Sequence, residues 1–120
     1  MYNDILSAVQ NKIVTNDRIV KIIPNGTAIQ NARTSYIGDN FTRDGYHLAK
    51  PLGRFIAGLG AVETLIGIDW DKFDLEFLST VVDDLPEDET LYFEMALESV
   101  KNAVANPFEI TQSTFTEKAE

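Results

Sequence analysis

Arg18 to Ile23 (RIVKII) is the one convincing strand in this chain, and it limits the fold more than any other feature. A run rich in β-branched residues, stopped by Pro24-Asn25-Gly26, reads as a short buried strand. A weaker candidate spans residues 73–81, where Phe73, Leu75 and Phe77 alternate as in a strand. In the same stretch Phe77, Leu78, Val81 and Val82 suit a helix. A lone central-type strand leaves backbone N–H and C=O groups unpaired on both edges. The sequence therefore reads as a mostly helical slice of an α/β sheet whose other strands lie elsewhere. Association is expected, because something must cover that strand: another copy of the chain or an absent N-terminal half.

Helical spacing is plain on either side. Ile5, Leu6, Val9, Ile13 and Val14 place a helix over Tyr2 to Thr15. A shorter helix is expected from Thr27 to Tyr36, and a longer one from Leu48 to Ile66 with Pro51 in its first turn. Gly53, Gly58 and Gly60 lie inside the latter, each costing roughly 1 kcal/mol of helix propensity. Three such costs point to close packing against another backbone, most naturally a sheet. Leu85-Pro86 followed by Glu87-Asp88-Glu89 starts a helix that runs to Asn106-Pro107. Residues 1–107 thus form one domain, and residues 108–120 a polar, loosely held tail.

Charge and composition exclude several roles. The net charge is −9, and fifteen of the nineteen acidic residues fall in residues 61–120. Such a half repels phosphate backbones, so neither nucleic acid nor an anionic membrane is an expected partner. The longest apolar candidate, Leu48 to Ile68, is broken by Lys50, Pro51, Arg54, Glu63 and four glycines, so no membrane span is expected. The first residues lack the basic start and apolar block of a signal peptide. With no cysteine, disulfides and thiolate metal sites are excluded. Trp70 with Asp69, Asp71 and Asp74 suggests a sugar platform or a calcium loop. The spacing lacks the Gly and terminal Glu of an EF-hand, so no metal is expected, and no cofactor is expected either.

His47 is the only histidine, three residues after Asp44 in Asp44-Gly45-Tyr46-His47. A hydrolytic serine triad needs an imidazole base held in one tautomer by a carboxylate on its Nδ1–H. A turn with Asp and His three apart can join those groups, and Gly45 supplies the flexibility. The carboxylate is expected within about 2.6–3.2 Å of the imidazole. The same spacing also fits a surface loop whose histidine flanks the next helix. Asn31 and Arg33, just before this loop, are candidate substrate contacts or surface helix contacts. Arg43 either pairs with Asp44 or faces solvent. Tyr36, Phe41 and Tyr46 read as packing residues around the loop, with one of them a candidate pocket wall.

The stretch IIPNGTAIQNARTSYIGDNFTRDGYHLAKPLGRFIAGLGAVETLIG (Ile22 to Gly67) resembles the C-terminal part of an SGNH (GDSL-like) hydrolase, in a domain-of-unknown-function branch. The resemblance extends to VKNAVANPF (Val100 to Phe108) and covers most of the chain. It implies a C-terminal fragment of a flavodoxin-like three-layer α/β fold, with His47 as general base and Asp44 as its orienting acid. It further implies a parent esterase acting on small esters or acylated carbohydrates.

The departures matter equally. The superfamily's nucleophile sits in an N-terminal Gly-Asp-Ser block, and its oxyanion donors come from that block and two further upstream ones. Ser7, Ser35, Ser79, Ser99 and Ser113 are the serines here, and none follows Gly-Asp. Gly38-Asp39-Asn40 carries Asn where the nucleophile would stand. The isolated chain is therefore expected to be inactive. Two other readings stand beside the partial hydrolase: a non-catalytic helical interaction module, and the acid–base half of an enzyme split between two polypeptides.

Overall fold

The computed structural model describes residues 1–72 and 74–118. Among the described residues five α-helices form: α1 Tyr2–Ala8, α2 Asn25–Arg33, α3 Leu52–Leu65, α4 Leu75–Val81 and α5 Glu89–Ala105. A wider π-type turn, Val9–Ile13, extends α1, and a short 3-10 turn, Trp70–Lys72, precedes α4. No strand forms among the described residues. The one ladder-type pairing is isolated and antiparallel, between Thr42 and Leu48.

The expected α/β, flavodoxin-like architecture is therefore corrected: this is a small helical globule. Arg18 to Ile23 is not a strand. The run after Arg18 has no regular structure, and Val20 stands 91% exposed. β-Branching favours a pleated surface, but a strand also needs a second strand to bond with, and these residues offer none. In the second candidate, residues 73–81, Phe73 lies outside the described residues, and Leu75–Val81 is helical. Asp74 decides the outcome, because its carboxylate accepts the Phe77 N–H at 2.9 Å and caps the helix.

α5 is the centre of the molecule. Tyr92, Met95, Ala96, Ser99, Val100 and Ala103 recur at helical spacing, and all are buried. α2 and α3 pack on that stripe and on each other. Ala28 and Ala32 of α2 have almost no exposure, nor do Ala96 and Ala103 of α5, and such small side chains let packed helices approach closely. Ile56 and Leu59 of α3 complete the interior, and Phe55 stacks against Tyr92 and Phe93 at centroid distances of 5.8 and 5.1 Å. Burial raises the Tyr92 hydroxyl pKa, and the hydroxyl donates to the Leu52 carbonyl at 2.7 Å. α1 buries none of its residues and is tied down by the Tyr2 hydroxyl, 2.9 Å from Thr27 Oγ1.

The glycines of α3 meet no sheet. A Cβ on Gly53 would stand 2.3 Å from the carbonyl oxygen of Phe41, in the loop before the helix. One on Gly60 would meet the Asn25 side chain, whereas Gly58 faces open space. The tail is also held more firmly than its polarity suggests. The Glu98 carboxylate accepts from the Ser113 hydroxyl at 2.7 Å and from the Thr114 N–H at 2.9 Å, with the Thr114 hydroxyl also on it. The Phe115 ring packs on the core, while its carbonyl accepts the Tyr36 N–H at 2.8 Å.

Candidate active site

The loop between α2 and α3 is pinned from below. Phe41 is fully buried, and its carbonyl accepts the Ala49 N–H at 2.9 Å. One step further out, the Arg43 N–H donates to the His47 carbonyl, also at 2.9 Å. The chain between these closures, Asp44-Gly45-Tyr46-His47, must turn sharply. Gly45 has φ +94°, a conformation that side chains disfavour and glycine accepts freely.

That turn organises one carboxylate completely. Asp44 Oδ1 accepts the His47 N–H at 2.7 Å and the Tyr46 N–H at 3.2 Å. Asp44 Oδ2 lies 2.5 Å from His47 Nδ1. The His47 backbone N–H first, and its imidazole second, hold the Asp44 carboxyl down to about 2. With Nδ1 engaged, Nε2 is the ring nitrogen left for a reactant. The pair is accessible, its side chains being 53% (His47) and 39% (Asp44) exposed. The Tyr46 ring lies 4.5 Å from the imidazole. Arg43 is exposed and makes no ion pair among the described residues.

The two other candidate site residues part ways. Asn31 is buried; its amide donates to the Ser99 carbonyl at 3.1 Å and its Oδ1 accepts the Thr111 N–H at 2.7 Å. Both ends of the carboxamide thus join α2 to α5 and the tail. Arg33 lies at the surface, its Nε 3.0 Å from Asp39 and its Nη1 donating to Gln30 at 3.1 Å. It lines a cavity of about 610 Å³, together with Gly45, Tyr46 and Leu48 of the dyad loop. Asp39 and Ile110 share that wall. Neither belongs to the Asp-x-x-His pattern, and Ile110 carries no local signal, since it arrives from the tail.

The serines are occupied elsewhere. Ser35 accepts the Ile37 N–H, Ser79 donates to the Glu76 carbonyl, and Ser113 donates to Glu98. Ser7 bonds Asn11, and Ser99 lies against the Met95 sulfur. Among the described residues no serine bonds the imidazole, and no three His, Asp or Glu side chains cluster as metal ligands. Asp69 instead pairs with Lys72 at 2.8 Å, and Asp74 serves as the α4 cap. No helix among the described residues is long and apolar enough to cross a membrane.

Fold and site together define a helical domain that presents an Asp–His pair on a pinned loop. The chain belongs to the domain of unknown function family DUF4886, whose model matches residues 1–85. It is similar to a DUF4886 family protein from Bacteroides uniformis ATCC 8492, known from a crystal structure at 1.50 Å resolution. Identity is 34%, the TM-score is 0.77, and the match covers 97% of this chain but 41% of that one. The chain thus spans about two fifths of the length of that relative. No curated protein matches.

Proposed function

We propose that this chain is the acid–base part of an SGNH-like serine hydrolase, with His47 as general base and Asp44 as the residue that orients it. The reaction is hydrolysis of an ester, with acyl groups on carbohydrates as the substrate class. The observation that carries the reading is the Asp44 carboxylate, bonded at once to the His47 Nδ1 and to two main-chain N–H groups of the same turn. Such a carboxylate fixes the tautomer, so that Nε2 can take a proton from a nucleophilic hydroxyl and return it to the leaving group. The Thr-Arg-Asp-Gly-Tyr-His-Leu string, Thr42 to Leu48, adds the family resemblance.

The nucleophile and the oxyanion donors come from polypeptide beyond these 120 residues, such as the part of the Bacteroides uniformis chain that this one does not cover. That polypeptide also covers the exposed apolar residues Ile19, Val20 and Ile23. The test is turnover of p-nitrophenyl acetate. Alone, the chain should hydrolyse it no faster than its His47→Ala variant. Combined with the uncovered part of the Bacteroides uniformis protein, it should gain turnover that His47→Ala lowers by about 10²–10⁴-fold. Turnover in the complex that is indifferent to His47 would sink the proposal.

A further inference from the structure

The cavity beside the dyad loop has a chemical character that narrows what it can hold. Its walls include Ile29, Tyr46, Leu48 and Ile110, so apolar surface comes from α2, the loop and the tail alike. Two charged side chains stand on the wall, Arg33 and Asp39, and they neutralise each other at 3.0 Å. One Nη1–H of Arg33 also donates to Gln30. An anionic group entering here would have to compete with Asp39 for a cation already paired. A neutral apolar group meets no such competition and removes aliphatic wall from water. At about 610 Å³ the space falls in the range of small-molecule sites and exceeds what an acetyl group fills. Its position ties it to the dyad: Tyr46 and Leu48, the neighbours of His47 on either side, both form wall, and the Tyr46 ring lies against the imidazole.

We infer that this cavity receives the acyl chain of the substrate, and that the chain is uncharged and longer than acetyl. The assignment of the occupant as an acyl group rests on the hydrolase reading above; the preference for a neutral aliphatic group rests on the cavity. Tyr46 and Ile110 are the specificity-determining residues, one beside the base and one on the tail. Each methylene buried against the wall tightens binding about fourfold.

Binding without turnover tests this on the 120-residue chain. Butanamide, hexanamide and succinamate are titrated separately, and backbone amide shifts are followed by NMR. Saturable shifts are expected at Ile29, Thr42, Tyr46 and Leu48, with hexanamide binding about tenfold tighter than butanamide or better. Succinamate should bind no more tightly than butanamide. Ile110→Trp, at a position already 45% exposed, should block the cavity while leaving the thermal midpoint unchanged. Tyr46→Ala, at 68% exposure, should weaken hexanamide several-fold with the fold intact. Shifts clustered elsewhere, affinity independent of chain length, preference for succinamate, or no saturable binding would each overturn the inference. Because no bond is broken in this titration, the two ideas fail separately. Chain-length-dependent binding alongside turnover indifferent to His47 would remove the hydrolase and leave an aliphatic binding site. The reverse pattern would leave the hydrolase and remove the acyl pocket.

Discussion

Asp44 shows how one turn sets the chemistry of a side chain. Two main-chain N–H groups and an imidazole converge on its carboxylate, so the ionised form is favoured and the carboxyl titrates at about 2. The folded value lies below the ordinary aspartate value near 3.9. The carboxylate's support of the turn is therefore full above about pH 4, fades as the pH falls, and is lost through about 2. An NMR titration of the Asp44 carboxyl carbon should show a midpoint near 2; one near the ordinary value would mean that the turn is not held this way. The closeness of Asp44 and His47 is legible in the sequence because the three hydrogen bonds on the Asp44 carboxylate all come from within four residues. What the pair does is a question for turnover. Asn31 was not legible in the same way, since the groups that claim it, on Ser99 and Thr111, are 68 and 80 residues away.

Among the elements, α3 is the most informative, because its glycines do different jobs. Gly53 makes room for the Phe41 carbonyl, the same oxygen that closes the base of the dyad loop through Ala49. Gly53→Ala must push that carbonyl away, and a chemical-denaturation midpoint should fall by an amount equivalent to about 1–3 kcal/mol. Gly58→Ala, facing open space, should instead gain up to about 1 kcal/mol from helix propensity. Equal effects at the two sites would refute this division. The sequence announced that the glycines were costly but not what they accommodate, since a loop carbonyl and a sheet ask for the same missing methyl. Arg18 to Ile23 misleads for a related reason. Its β-branched residues speak of a surface to be covered, and covering can come from outside the chain as readily as from a neighbouring strand.

The whole molecule depends on residues beyond the stretch that the family model matches. That stretch is residues 1–85, yet the stripe against which α2 and α3 pack belongs to α5, Glu89–Ala105. Cut after residue 85, the chain would expose Ala28, Ala32 and Ile56, each at most 1% exposed in the intact fold. A segment of that length with its central helix removed lacks the buried surface to offset chain entropy. Residues 1–85 should therefore give no cooperative thermal transition by circular dichroism, while residues 1–118 melt cooperatively. A sharp melt of the shorter piece would show that α2 and α3 make a core by themselves. The tail beyond α5 has a further consequence, for digestion. An exopeptidase needs a free, pliable end, yet Thr111, Ser113 and Thr114 each bond α2, α5 or Thr34 just after α2, and the Phe115 carbonyl accepts the Tyr36 N–H. Carboxypeptidase treatment of the folded chain should nibble inward, stall near Phe115, and leave a discrete mass rather than a smear. In Glu98→Ala, which removes one anchor of Ser113 and the anchor of Thr114, the trimming should run on toward Thr111, still held by Asn31.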